Sequence, residues 1–597
     1  MGILDAIAAQ PGSLRWRPIR HRWRFVVAVG IVLGVVGGRA VPASAHATLI
    51  ATSPPSGAVL ARPPGQIILT FDQRVEVSFG AIRVYNASEQ RVDAGGAAHP
   101  GGDPRAVAVS LPPGLPRGGY VVTWRVVSED SHPVHGAFTF AIGGAGTALS
   151  AEASRLVGAS SGSRTVGIVF GVVRFCEFVA VAIVVGGAVF ALAIWPGARE
   201  SPGARRLIWF GAGALVATTG LAFALQGPYA GALPLLRAVR PAVLTAVWHT
   251  HFGRVMVARL VLLGAAAPVL AALLRRPAAE RLPPVLVAVG AVLSALVLGT
   301  WGAAGHAGTG ALVPIGLPFD AIHIGAASVW IGGLIMTVLV VLPASRVDTT
   351  GRGSPLRDAL PHFSQWALGA TIAIAVTGGF AAWQQAGSWG AVTGTPYGRL
   401  LIAKSVAFAA LILLGAMSRH ALDPGRATAR GQQRVVVLSA GPGAMASSPD
   451  RPLVTRLGGT VGAELAIAGV VLALTSWLVA AQPARQAYAA PFSAQVRAGP
   501  DYVDVVVDPA KAGPLAIHVY VLSPTGTELN VPEVDAELGD PAAGITDVPV
   551  PLILAGPGHF AAYGFDVPIR GTWDLIVRVR VDSIDEYVAQ LIRVPIH

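Results

Sequence analysis

Eight stretches of this chain are apolar over the ~20 residues that a helix needs to cross a bilayer, which makes the middle of the chain membrane-embedded. They run from Thr165 to Trp195, Leu207 to Gln226, Gly253 to Leu274, Pro284 to Gly302, Phe319 to Leu342, Phe363 to Trp383, Gly398 to Met417 and Gly458 to Ala480. Composition agrees: of 597 residues, 53% are apolar and only 13% are charged. That is too apolar for an entirely soluble protein and too long for one domain. Residues 165–483 therefore read as a polytopic eight-helix bundle whose partner is the lipid bilayer.

The formal net charge of +12 raises the question of an acidic partner, and its distribution answers it. Arg199, Arg205 and Arg206 lie in the first connection between helices, Arg275, Arg276 and Arg281 in the third, and Arg346, Arg352 and Arg357 in the fifth. The seventh carries Arg419, Arg426, Arg430, Arg434, Arg451 and Arg456, whereas the other connections hold little beyond Arg237 and Arg240. Arginine concentrates in cytoplasmic loops, so this alternation predicts that both chain ends are extracytoplasmic and that the protein sits in the cytoplasmic (inner) membrane. The basic excess is topological, and no nucleic-acid partner is expected. The connection from Ser418 to Leu457, rich in Gly, Ser, Ala and Pro, reads as a mobile loop.

The N-terminus has the pattern of a removable signal. Arg15, Arg17, Arg20, Arg22 and Arg24 precede an apolar run from Phe25 to Val36, and Ala43-Ser44-Ala45 supplies small residues for cleavage. Removal of residues 1–45 would leave His46 first, offering its α-amine and imidazole to one metal ion. The alternative is an uncleaved anchor with His46 an ordinary surface residue. Cys176 is the single cysteine, which excludes internal disulfides and Cys-based zinc sites. A metal must then be held by His, carboxylate, Met or backbone groups.

Residues 46–143 read as an all-β Greek-key barrel or sandwich, from short β-prone runs at 67–71, 81–85, 106–111, 120–127 and 137–142 separated by Pro and Gly turns. Between the last two runs stands Ser128-Glu129-Asp130-Ser131-His132-Pro133. Asp130 and His132 are two apart, so an extended segment points both the same way and offers an oxygen and a nitrogen to one ion. With His46 they make three nitrogens and a carboxylate oxygen, a donor set suited to tetragonal Cu(II), although Zn(II) also accepts it. His99 and His135 are expected to be bystanders. Residues 144–164 read as a linker.

His46-Ala47-Thr48-Leu49, Ser53-Pro54-Pro55-Ser56-Gly57, Leu69-Thr70-Phe71, Gly119 to Ser128 and Asp130-Ser131-His132-Pro133 resemble the periplasmic copper-binding CopC family across nearly all of this region. The resemblance implies that His46, Asp130 and His132 hold Cu(II). Ser131 stands where the family usually has Gly. Some relatives add a Met cluster for Cu(I), and there is no Met between His46 and Gly143, so the resemblance implies a Cu(II)-only head.

In the bundle, His323-Ile324-Gly325-Ala326-Ala327-Ser328-Val329-Trp330-Ile331-Gly332-Gly333-Leu334, Tyr397 to Lys404 and Glu464 resemble the CopD copper-transport family over roughly residues 165–483. Small residues allow close helix approach, and a histidine at membrane depth needs a partner. His323 and His306 are the candidates for a membrane copper path. His249 and His251 read as interfacial, and Met256 and Met336 as packing residues. Arg174 with Glu177 is expected to form an ion pair, and Lys404 with Glu464 either an ion pair across the bundle, the preferred reading, or a proton-coupling pair.

Residues 488–597 read as an extracytoplasmic β-sandwich, weakly similar to YtkA-like domains, with strands near 502–507, 515–522, 560–567 and 573–581. His518 and His559 look scattered. The whole is expected to capture Cu(II) outside and pass it to the bundle for import in copper homeostasis or resistance; no ATP-binding Gly-rich loop is visible in the inner connections. Two alternatives stay open. One is delivery of copper to an exported cuproenzyme or chaperone, and the other is a membrane copper redox enzyme, against which Asp130 would occupy a position that oxygen chemistry needs.

Overall fold

The computed structural model describes residues 47, 49–54, 59–71, 73–79, 81–143, 164–309, 312–347, 355–421, 451–488, 491–524, 527–581, 586–588 and 591–596. The expected signal, His46, nearly all of the linker and the middle of the connection after Ser418 lie outside them. That connection is shorter than expected: helix runs on through residue 421 and begins again at Arg451.

The head is a sandwich of eight strands: β1 (Leu49–Ser53), β2 (Val59–Leu60), β3 (Gln66–Phe71), β4 (Val75–Glu76), β5 (Ile82–Asn86), β6 (Ala106–Ser110), β7 (Gly118–Ser128) and β8 (Pro133–Ile142). One sheet is ordered β1-β3-β6; the other is β2-β8-β7-β4, with β5 also on β7. Alternation drives the packing. In β3, Ile67, Leu69 and Phe71 all face inward and are fully buried, and Phe71 meets Trp124 of β7 edge-on, ring centroids 5.4 Å apart.

Among the described residues, eight helices are long and apolar enough to cross a membrane: α1 (Arg164–Ile194), α2 (Pro202–Gly231), α3 (His251–Leu274), α4 (Pro284–Ala304), α5 (Val313–Arg346), α6 (Pro355–Ala386), α7 (Pro396–Arg419) and α8 (Gly458–Ala480). Large apolar side chains such as Phe210, Val285 and Leu413 stand exposed on their outer faces, the surface that lipid covers. Two short helices not foreseen, Pro241–His249 and Trp389–Gly394, lie in connections at the end of the bundle that carries the head.

The glycines of the Trp330–Gly333 segment set how closely α5 approaches α1. A Cβ on Gly332 would collide with the Ala182 carbonyl oxygen, one on Gly186 with that of Ser328, and one on Gly333 with the Phe363 ring. Two backbones in contact leave no room for a methyl group. Gly332→Ala is therefore expected to destabilise the detergent-solubilised protein by roughly 3 kcal/mol, read as a lowered thermal midpoint.

The C-terminal region is a second sandwich, of two five-stranded sheets. One is β14 (Ile553–Gly556), β15 (His559–Val567), β11 (Gly513–Leu522), β10 (Asp501–Asp508) and β9 (Phe492–Ala498), in that order. The other is β13 (Ile545–Val550), β12 (Glu533–Asp540), β16 (Gly571–Arg580) and β17 (Glu586–Val588), with β18 (Ile592–Ile596) also on β16. Val503, Val505, Ile517 and Val519 of the first meet Trp573, Leu575 and Val577 of the second in one core. This sandwich leans on the connection between α6 and α7, where Gly390 leaves room for Tyr488 and Arg570.

Candidate metal centre

The head sits on the bundle through polar contacts. Arg125 of β7 donates from Nε to the Ala230 carbonyl (2.6 Å) and from Nη2 to that of Tyr229 (2.9 Å). These are terminal carbonyls of α2, so a cation meets the negative end of a helix dipole. Glu76 of β4 accepts the His251 backbone N–H at 2.6 Å, where α3 begins. Burial at this seam pushes the Glu76 carboxyl above its ordinary range, against the opposing pull of His251 and Arg254.

The turn that carries Asp130 and His132 projects into the seam. Strands β7 and β8 are joined by the four residues Glu129 to His132: Ser131 N–H donates to Ser128 O, Ser128 N–H donates to His132 O, both at 2.9 Å, and Ser131 has φ 70°. This is a turn closed by one left-handed residue, the position that glycine fills most easily. Among the described residues, the buried Ser131 hydroxyl also has no hydrogen-bond partner. Ser131→Gly is accordingly expected to raise the unfolding free energy by about 1 kcal/mol, with the metal-binding stoichiometry unchanged.

Within the turn, the Ser128 hydroxyl donates to Asp130 Oδ1, and His132 N–H approaches the same oxygen at 3.3 Å. Oδ2 is thereby aimed at the seam, 3.4 Å from His132 Nδ1 and 3.4 Å from His306 Nε2. His132 Nε2 lies 2.8 Å from the Val479 carbonyl at the end of α8. A carbonyl only accepts, so His132 Nε2 carries the hydrogen of that bond and Nδ1 is the nitrogen turned toward Asp130. The ring of His306, just beyond α4, stands 4.9 Å from that of His132.

One ligand atom from each of Asp130, His132 and His306 falls within 4.8 Å of the others, and all three side chains are largely buried. One carboxylate oxygen and two imidazole nitrogens brought this close form a donor set that a divalent transition-metal ion can bridge. The ring orientation fixed by Val479 and the carboxylate orientation fixed by Ser128 are the outer contacts that metal sites use. Gln226, buried near the end of α2, adds a bond from Nε2 to Ser131 O at 3.2 Å.

The seam thus joins Asp130 and His132 with His306, while His46 lies outside the described residues. His323 stands apart. Its Nδ1 is 2.9 Å from Thr377 Oγ1, whose hydroxyl in turn donates to Ala373 O at 2.6 Å. It lines a mostly apolar cavity of about 380 Å³ with Trp330, Lys404 and Phe408. His251 Nε2 meets the Ala303 carbonyl at 2.8 Å and His99 Nδ1 meets Ala106 O at 2.7 Å, both structural contacts. Met256 and Met336 are buried among apolar side chains.

Two expected ion pairs are corrected. Glu177 pairs with Arg259 of α3, and Arg174 instead lies over the Phe170 ring, 4.3 Å from its centroid. Glu464 accepts from the Ser418 hydroxyl at 2.6 Å, while Lys404 is within electrostatic reach of Asp320. For Glu177 and for Lys404 the partner comes from a segment farther away in the sequence than the one expected. Asp320, Gln226 and Arg125 went unremarked in the sequence, because nothing local marks an ordinary polar residue that faces another domain.

A β-sandwich seated on eight apolar helices, with carboxylate and imidazole donors converging at the seam, defines a multi-pass membrane protein that handles a transition metal. Sequence comparison gives the family. The CopC domain matches residues 49–143, the copper resistance protein D-like N-terminal domain residues 165–313, and copper resistance protein D residues 357–478. The chain belongs to this CopC/CopD copper resistance family, with both parts in one polypeptide. It is 27% identical to the copper transport protein CutJ of Bacillus subtilis (strain 168) over 417 residues, 67% of this chain and 71% of that protein. It is 31% identical to copper resistance protein C of Escherichia coli over 115 residues, 18% of this chain and 90% of that protein. Among solved structures, CopC from Methylosinus trichosporium OB3b is similar at 31% identity, over 16% of this chain and 93% of that one, with a TM-score of 0.16. The chain is thus a member of the copper resistance family with membrane-length helices between two β-sandwiches.

Proposed function

We propose that the head captures Cu(II) at the extracytoplasmic face and that the seam site, Asp130, His132 and His306, transfers it to the bundle for import. The observation that carries this reading is the 3.4 Å approach of His306 Nε2, a bundle atom, to Asp130 Oδ2, a head atom that also faces His132. Adjacent ligands of one first-row ion, each about 2.0–2.2 Å from it, stand at about this separation. A site shared by two domains can exchange one ligand at a time, so cargo passes without full release. His46, with its amine and imidazole, supplies the remaining head donors once the signal is removed.

Beyond the seam the route has further donors. A Cβ on Gly302 of α4 would lie 3.1 Å from Asp320 Oδ2, so the Asp320 carboxylate stands beside the end of the helix that leads to His306. His323 follows one turn later on α5 and opens the cavity shared with Lys404. The arginine-rich connections at the opposite end of the bundle support the reading that this end is cytoplasmic.

Uptake of radiolabelled copper by cells expressing the full chain tests the proposal. Accumulation above that of cells lacking the protein is expected, with loss of the excess in His306→Ala and in His323→Ala. Unchanged or lowered accumulation with the intact protein would overturn import. Copper-loaded protein in sealed vesicles that leaves no copper in the lumen would point to delivery outside the membrane.

A further inference from the structure

Strands β11 and β15 of the C-terminal sandwich pair antiparallel, with His518 opposite Ala561 and Tyr520 opposite His559. The two histidines are therefore diagonal neighbours on one sheet face, across 41 residues of sequence. The opposite face of these strands is core, since Ile517, Val519 and Phe560 are buried. On the outward face, His518 Nδ1 lies 3.1 Å from His559 Nε2.

We propose that this imidazole pair is a second site for a divalent transition-metal ion, Cu(II) being the best fit, separate from the seam. Two nitrogens 3.1 Å apart, each bonded at about 2.0–2.1 Å, subtend roughly 100° at the metal, suited to neighbouring positions of a tetragonal or tetrahedral ion. Linear two-coordinate binding needs the nitrogens about 4 Å apart and does not fit. Without metal the pair shares one hydrogen, donated by one ring and accepted by the other; the metal takes the place of that proton.

The rings are held ready. His559 stacks on Tyr520 with centroids 4.3 Å apart and planes 11° apart, and the Tyr563 ring meets His518 edge-on at 5.5 Å. Pre-set ligands cost less ordering on binding. Burial, and for His559 the neighbouring His518, shifts both rings below the ordinary imidazole range. Asp508 of β10 lies within electrostatic reach of His518, and Asp504 of β10 is paired with Tyr520 of β11, so acidic groups stand on the His518 side of the pair. Both rings are only half-buried, which leaves the remaining coordination positions to water or an incoming ligand. This chemistry suits a labile acceptor or donor of copper on the same end of the bundle as the seam.

The test uses the full chain in detergent with the seam site removed by Asp130→Asn and His132→Ala, so failure of the seam reading leaves it intact. Cu(II) titration followed by electron paramagnetic resonance is expected to show a signal split by two imidazole nitrogens. His518→Gln and His559→Gln, each added separately, are expected to weaken that binding at least about tenfold and to remove the two-nitrogen splitting. An unchanged spectrum and affinity in both variants, or no Cu(II) binding by the seam-deficient chain, would overturn the proposal. Both side chains are partly solvent-exposed on a sheet face, and agreement between two independent variants separates ligand loss from misfolding.

Discussion

Asp130→Asn, His132→Ala and His306→Ala are each expected to lower the Cu(II) affinity of the full chain by roughly 100-fold or more, measured by competition with a chelator of known affinity. The reasoning starts from outer-shell contacts, whose loss alone typically costs about 10–100-fold; removal of a direct donor must exceed that. His306→Ala is the discriminating variant. A site confined to the head would be indifferent to it, because His306 belongs to the bundle and reaches Asp130 only across the seam. His135→Ala is the matched control: this exposed residue sits opposite Arg125 on β8, beyond the turn. Arg125→Met leaves every donor in place but removes the guanidinium that binds the α2 carbonyls. It should weaken binding by about the same amount as losing His306 and add little to His306→Ala, since both act through the same docking.

The sequence conveyed local patterns well and distant pairings poorly, for a physical reason. Apolar length fixed all eight helices, because a membrane span is a property of consecutive residues. Asp130 and His132 were legible as close neighbours because only Ser131 separates them, although the segment is a turn with Ser131 at φ 70° and not the extended run expected. His306 was legible only as a histidine near a helix end; its proximity to Asp130 depends on how two domains dock. Glu177 was matched to Arg174, the nearest cation along the helix, whereas three-dimensional packing offered Arg259, 82 residues away. His518 and His559 looked scattered until the register of β11 on β15 set them side by side. Strands rich in outward acidic residues, such as β12 (Glu533–Asp540), were also missed, because half their pattern looks like loop.

The Glu177–Arg259 pair carries the second large expectation. Arg259 is about 1% exposed and Glu177 about 6%, at the level of the apolar spans. The guanidinium also donates from Nε to Thr300 Oγ1 at 2.7 Å and lies 3.6 Å from the centroid of the Trp301 ring, while Thr219 reaches Glu177 at 3.5 Å. One network thus ties α1, α2, α3 and α4. Removing either charge strands the other without compensation, so Glu177→Leu and Arg259→Met are each expected to cost roughly 3–5 kcal/mol in unfolding free energy, seen as a lowered thermal midpoint. The double variant has no stranded charge and should recover most of the loss, giving a strongly non-additive cycle. Equal, additive losses would mean that the pair is incidental to packing. Gln226 lies near the end of α2, His251 opens α3 and His306 follows α4, so the same cycle should appear in Cu(II) affinity: weakened in each single variant and largely restored in the double. That coupling would make the buried ion pair the element that holds His306 within reach of the head.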